Sequence, residues 1–224
     1  MDTGDQTQTE ASLNSDQPVG GDADTARPSS VREQVAALKR QLILEAAANL
    51  FFEEGYAAAT LESLARSLEV TKPFIYTYFK NKAEILTAIS EAGIDVSLES
   101  LGKGQTEAVR ALDQLRIAMA AAARSVIRFQ KYVVVYQREL KSLDAPDAER
   151  ILRKRVQFDH EIAAMVARGV REGDMQVADP SMAAVWIGGL LSWIPVWHNP
   201  AGRQNPDQVA AEFVSAIDRL VGAA

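Results

Sequence analysis

Residues 60–82, TLESLARSLEVTKPFIYTYFKNK, decide the fold. Thr60 is a capping residue, and Leu61, Leu64, Ala65 and Leu68 recur at helical spacing behind it. Thr71 caps a further helix whose first turn carries Pro73, where a missing N–H costs little. Leu64, Leu68, Val70, Ile75 and Phe79 fall on the side that a third helix can cover, which leaves Lys72, Pro73, Phe74, Thr77 and Tyr78 facing away. Proline, phenylalanine and tyrosine rarely share an outward face without a partner. Two short helices joined by a tight turn, the second ending in aromatic and basic residues, suit a helix laid in the major groove of DNA.

Upstream, Ser30 and Glu33 form an S-x-x-E capping box, so a helix is expected from there to about Glu54, closed by Gly55. Val35, Leu38, Leu42, Ala46 and Leu50 supply its expected apolar stripe. Downstream, Asn81 and Glu84 open a helix over 82–101, which Gly102 and Gly104 break. Helices are expected near 106–128, 131–143, 146–172, 179–194 and 206–221. Asp179-Pro180 and Asn205-Pro206 are cap-plus-proline starts, and Gly173 is a stop. Val133-Val134-Val135 is β-prone, yet its flanks are helical. The expected class is all-α, with no internal repeats.

The chain has 224 residues and no cysteine, which removes disulfide and thiolate-metal chemistry and fits a reducing, cytoplasmic setting. The acidic start is not a secretory signal. Met182 to Trp197 is apolar but shorter than the roughly 20 residues of a spanning helix, so a buried helix and no membrane association are expected. The net charge is −6. Six acids and one base lie in residues 1–30, whereas residues 31–87 carry seven of each, so the groove-facing region is neutral. Residues 1–29 are too polar to offset ordering entropy and are read as a disordered acidic tail.

Residues 39–86 resemble the N-terminal domain of the TetR family of regulators. The likeness is carried by Ile43 to Ala47, Leu50-Phe51, Gly55-Tyr56, Thr60-Leu61, Leu64-Ala65 and Ile75-Tyr76-x-Tyr78-Phe79-x-Asn81-Lys82. Glu69 stands where the family's turn usually carries glycine, so a left-handed Glu69 or an altered turn is expected. The resemblance implies a helix-turn-helix DNA-binding domain over 30–87, a linking helix over 82–101, and a ligand-binding and dimerisation domain over 88–224. It assigns Thr60, Tyr76, Tyr78 and Lys82 to phosphates of a double-stranded operator, and Lys72, Pro73, Phe74 and Thr77 to base edges, with Thr71 at the start of that helix. Glu62 would meet a cytosine amine or simply be solvated.

The C-terminal part is similar to acyl-CoA-responsive members of the family, through the run from Arg153 to Gly173 and through Asp179-Pro180, Gly188, Trp193, Trp197 and Asn199-Pro200. That implies a small-molecule effector, an acyl-CoA, with Arg138, Arg153, Arg155 and Trp186 as its ligand set. The alternative for the basic residues is a solvated face. Trp186, Leu190, Trp193 and Trp197 form one stripe, Gly188 and Gly189 permit close approach, and with the final helix (Val209, Phe213, Ile217 and Leu220) they form the expected homodimer interface.

His160 and His198 lack the neighbours of a metal site, and no catalytic motif or phosphate-cradling loop is evident, so neither metal, cofactor nor enzymatic activity is expected. The resulting expectation is a ligand-responsive repressor that binds a palindrome as a dimer. Two alternatives remain: a helical acyl-ligand carrier or enzyme whose N-terminal bundle is structural, and a DNA-binding regulator controlled by a protein partner.

Overall fold

The computed structural model describes residues 30–102 and 109–223; the expected tail over 1–29 and the first residues of the helix expected from 106 lie outside them. Among the described residues the chain is helical, with α1 Val31–Glu54, α2 Leu61–Ser67, α3 Lys72–Tyr76, α4 Lys82–Leu101, α5 Ala111–Arg128, α6 Gln130–Glu139, α7 Ala145–Glu172, α8 Pro180–Trp197 and α9 Pro206–Leu220. A single 3-10 turn, Leu140–Ser142, follows α6. Val133–Val135 is helical, because its three side chains are all buried from a helix rather than alternating across a sheet.

Local chemistry sets these boundaries. Ser30 and Glu33 form the capping box of α1, with Ser30 N–H donating to Glu33 Oε2 at 2.8 Å. Thr60 Oγ1 accepts from Ser63 N–H at 3.0 Å, while Ser63 Oγ accepts from Thr60 N–H at 3.0 Å. Asn81, Asp144, Asp179 and Asn205 each accept from first-turn amides of α4, α7, α8 and α9. Each such cap stabilises its helix by about 1 kcal/mol. Gly173 ends α7 in the left-handed region, φ 81°.

One core joins α1–α3 to the first half of α4 through Ile43, Ala47, Phe51, Leu64, Ile75, Phe79, Ile85 and Ile89. Tyr132 and Val135 of α6 complete it. A larger core fills the space among α5, α7, α8 and α9. Gly93 lets α4 and α6 touch: a Cβ there would lie 2.9 Å from the Tyr132 carbonyl oxygen.

Two sequence expectations are corrected. The stripe of α1 is covered only in its second half: Val35, Leu38 and Leu42 are exposed, Ala46 and Leu50 are partly buried against the core, and Ile43, Leu44, Ala47, Ala48 and Phe51 are the buried face. Residues 31–42 are exposed, so no described neighbour buries that part of the stripe. In α8, Ala183, Ala184, Ile187, Leu191 and Ile194 enter the core, whereas Met182, Val185, Trp186, Leu190, Trp193, Val196 and Trp197 are exposed. This helix is long and apolar enough to cross a membrane by length and composition alone. Instead of being wholly buried, it packs one side on α7 and leaves an apolar side open.

Candidate nucleic-acid interface

The turn between α2 and α3 is built on Glu69, whose φ is 55°, the left-handed value that a glycine would adopt more cheaply. Val70 N–H donates to the Ala65 carbonyl at 2.9 Å and Glu69 N–H to that of Arg66 at 3.1 Å, which closes α2 and sends the chain into α3. Thr71 is extended and its hydroxyl makes no capping bond. Ile75 and Phe79 are sunk in the core, so α3 has a fixed rotation.

That rotation exposes Thr71, Lys72, Pro73, Tyr76 and Thr77, while Phe74 and Tyr78 are half-buried. The Phe74 and Tyr78 rings lie 5.3 Å apart, tilted by 56°, and the Lys39 ammonium stands 5.9 Å from the Phe74 ring. Thr77 Oγ1 donates to the Pro73 carbonyl at 3.2 Å. Thr60, at the cap of α2, is exposed on the same unit. These are eight of the nine residues expected at the operator, brought onto one exposed unit. Lys72 faces Glu62 at 3.9 Å, an exposed pair that solvent weakens, so Glu62 stays a largely solvated carboxylate beside Lys72.

Lys82 departs from its expectation. Its ammonium donates to the carbonyls of Tyr56 at 2.7 Å and Ala59 at 2.8 Å, reaches that of Ala57 at 3.5 Å, and lies 4.3 Å from the Tyr56 ring. All three donors are engaged by the α1–α2 connection, so the side chain braces that connection and is not presented to a phosphate. Burial, and secondarily the Glu139 carboxylate, push the Tyr56 phenol above its ordinary range.

The expected ligand set does not converge. Arg138 stacks over Phe52, 5.5 Å from the ring, at the boundary with α1. Arg153 is exposed and paired with Glu149 at 3.3 Å. Trp186 is 57% exposed on the open side of α8. Arg155 borders a small, partly open cavity of about 20 Å³, whose walls include Gly93, Tyr136, Phe158, Gly188 and Leu191. There Arg155 Nε lies 3.3 Å from Asp159 Oδ2, and Asp159 Oδ1 is buried without a hydrogen-bond partner. A Cβ on Gly188 would come within 2.9 Å of the Arg155 guanidinium, so that glycine makes room for the pair. Burial pushes the Tyr136 phenol up, with Arg155 opposing and Asp159 reinforcing. Arg150 and Lys154 are spent on tying α7 to α4, through Glu91 at 2.7 Å and Asp95 at 2.8 Å. Thr87 donates to Asp147 at 2.6 Å in the same series. That bond holds the Asp147 carboxyl below the usual carboxylate range, against its partial desolvation and helped by Arg150. The sequence reading missed Thr87, Glu91 and Asp95; their spacing of four on α4, mirrored by the bases of α7, was the available signal.

The expected dimer residues on α9 are corrected as well. Phe213 and Ile217 are 7% and 1% exposed, packed with α5 inside the protomer, and Leu220 is partly buried against the same core. The open apolar surface is α8, from Met182 to Trp197, flanked by the exposed Leu152 and Val156 of α7. An amphipathic α9 has one apolar stripe, and the protomer core claims it.

A short exposed helix set by a left-handed turn at Glu69, above an all-helical body, defines the helix-turn-helix class of transcriptional regulators. Residues 43–89 match the family described as bacterial regulatory proteins, tetR family, and residues 108–221 match the tetracyclin repressor-like C-terminal domain. The chain belongs to the TetR family of transcriptional regulators and is not an enzyme. It is similar to the transcriptional repressor KstR2 of Rhodococcus jostii, 24% identical over 185 residues that cover 80% of this chain and 89% of that protein. A bacterial regulatory protein of the tetR family from Rhodococcus RHA1 superposes with a TM-score of 0.77 at 26% identity, covering 88% of this chain and all (100%) of that one. AibR, solved with isovaleryl coenzyme A and operator DNA, shares the fold with a TM-score of 0.72 at 24% identity, over 83% of this chain and 100% of AibR.

Proposed function

We propose that the chain is a cytoplasmic homodimeric repressor that holds a palindromic operator and releases it when an acyl-CoA occupies the domain formed by residues 88–224. The observation that carries this reading is the exposed face of α3. Lys72, Pro73, Phe74 and Thr77 are set to read bases, and Thr60, Thr71, Tyr76 and Tyr78 to hold phosphates, on a unit formed by residues 30–87. A five-residue helix reads few base pairs, so two copies on a two-fold axis are needed for specificity. The open side of α8, with Leu152 and Val156, is the surface that would join them; Trp186, Leu190, Trp193 and Trp197 are its large side chains.

The effector reading rests on the relatives and on the interior pair. AibR binds an acyl-CoA, and the Arg155–Asp159 pair is a polar anchor within apolar walls, the arrangement that ligand cavities share. The space beside it is only about 20 Å³, so an acyl chain must enlarge it by separating α4 from α7. The heads follow, because α4 begins at Lys82 beside the DNA-binding unit and is tied to α7 by Thr87, Glu91 and Asp95. An effector that prefers the opened form shifts the population away from the DNA-binding one.

The test has two parts. The purified chain should protect a palindromic stretch of its own upstream DNA, and isovaleryl-CoA or longer acyl-CoAs should release it and raise its Tm. Protection that requires no two-fold sequence sinks the dimeric reading. A Tm unmoved by acyl-CoAs of every length sinks the effector class.

A further inference from the structure

A second cavity lies apart from the one beside Arg155. It is a cleft of about 720 Å³ where the second half of α1, the α5–α6 junction and the α8–α9 connection meet. Arg128, Lys131 and Arg203 line it, against one carboxylate, Glu45, among its described lining residues. Arg128 stacks on Phe129, 5.5 Å from the ring, and neither it nor Arg203 has a carboxylate partner among the described residues. Lys131 reaches Glu53 at 3.5 Å, outside the cleft. The lining amides of Gln204, Asn205 and Asn49 add donors.

The wall also holds His198, at the end of α8. It is 5% exposed, and neither Nδ1 nor Nε2 has a hydrogen-bond partner. Its backbone is firmly held, with N–H donating to Ile194 at 2.9 Å and the carbonyl accepting from Gln130 at 2.9 Å. Buried polar atoms are paired as a rule, so an imidazole with two idle nitrogens beside a cavity calls for a missing group. Surplus positive charge, amide donors and an idle imidazole together define what that group is: an anion with several acceptor oxygens.

We propose that this cleft binds a small anion bearing phosphate or carboxylate groups, held by Arg128, Arg203 and His198, and that its occupancy fixes the DNA-binding unit against the C-terminal body. The second consequence follows from the walls. Glu45 and Asn49 belong to α1, whose Ile43 and Ala47 are core residues of the DNA-binding unit, and the remaining walls belong to the body. A ligand that spans them ties the two together. The cleft shares none of its lining residues with the Arg155 cavity, so this anion acts separately from the effector.

The chain contains two histidines, which makes ring NMR a site-resolved assay with its own control, because His160 lies on the exposed surface of α7. Sodium pyrophosphate and, separately, citrate would be titrated into the full chain at constant ionic strength. The His198 ring signals should shift and saturate while those of His160 stay in place. Saturation by pyrophosphate alone assigns a phosphate source, and by citrate alone a carboxylate source. The Arg128→Gln, Arg203→Gln double variant should bind about tenfold more weakly or worse, as expected for the loss of charge-assisted hydrogen bonds. Glu45→Gln, which removes the opposing charge, should bind more tightly. No shift with either anion, equal shifts of both histidines, or affinities that neither variant alters would overturn the site. The assay uses neither DNA nor acyl-CoA, so it stands or falls independently of the repressor reading. Its regulatory half fails if saturating anion leaves the operator affinity of the wild-type chain unchanged.

Discussion

The Lys82 ammonium lies 2.8 Å from the carbonyl oxygen of Ala59, the residue before the cap of α2. It thereby joins the first residue of the helix that leaves the DNA-binding unit to the start of the helix that supports its reading face. Lys82→Met should lower stability by about 2 kcal/mol, the scale of hydrogen bonds to a charged group that is partly buried. Operator binding should weaken through the displaced Thr60 and α2, with the slope of log K against log salt unchanged. A slope reduced by about one counterion would instead make Lys82 a phosphate contact.

Lys72 and Glu62 face each other at 3.9 Å on the open surface. The pair contributes little to folding, so Glu62→Gln should leave Tm within a degree or two. It should raise affinity for unrelated duplex DNA a few-fold by removing a negative charge from the reading face. Lys72→Ala should cost about 1–3 kcal/mol of operator affinity and relax specificity at one base position. Gel-shift titrations over single-base operator variants would check both, and a uniform loss across all sequences would make Lys72 a backbone contact.

Trp193 and Phe213 separate association from folding. Trp193 is 60% exposed, so Trp193→Glu should leave the helical signal and Tm of the protomer nearly intact while yielding monomers in sedimentation. Phe213 is buried beneath α5, and Phe213→Ala should cost about 3–5 kcal/mol of stability. Dimers that survive Trp193→Glu would remove α8 from the interface.

Burial, reinforced by the Glu45 carboxylate, pushes the Tyr132 phenol up to about 12 from its ordinary 10.0. The folded chain therefore retains this proton where the unfolded chain releases it. The stabilisation is complete below pH 10 and is lost as the pH rises through about 12, so the stability of the wild-type chain falls across that window. Tyr132→Phe should flatten this alkaline limb and remove the last-titrating tyrosinate from the absorbance curve. An unchanged limb would place the titration elsewhere.

Glu69 holds φ at 55°, at a cost of about 1 kcal/mol for a side chain in that region. Glu69→Gly relieves the strain but loosens the unfolded chain by about 0.4–1 kcal/mol, so the net gain is no more than about 0.5 kcal/mol. Chemical denaturation would measure it, and a loss of stability would show that the Glu69 side chain contributes more than its backbone costs.

Where the signal was a capping side chain, the amino-acid order set most of the helix starts. Ser30, Thr60, Asn81, Asp179 and Asn205 are caps because a short acceptor side chain satisfies the free amides of the turn that follows, whatever lies beyond. The spacing of Ile75 and Phe79 likewise marked the inward side and left Lys72, Pro73 and Tyr76 outward, although it is the burial of those two side chains that fixes the rotation of α3. Tertiary structure decided the questions of which neighbour covers which face. α1 carries two apolar stripes, and the one used is the one that α2–α4 reach. α9 spends its stripe on α5, which leaves the open apolar surface to α8. Lys82 is engaged by three carbonyls about 25 residues earlier in the chain, Arg138 by a phenyl ring of α1, and Arg155 by Asp159 beside Gly188 of α8. Charge and hydrophobicity are written in the sequence, but their partners are assigned by distances that exist only once the helices have packed.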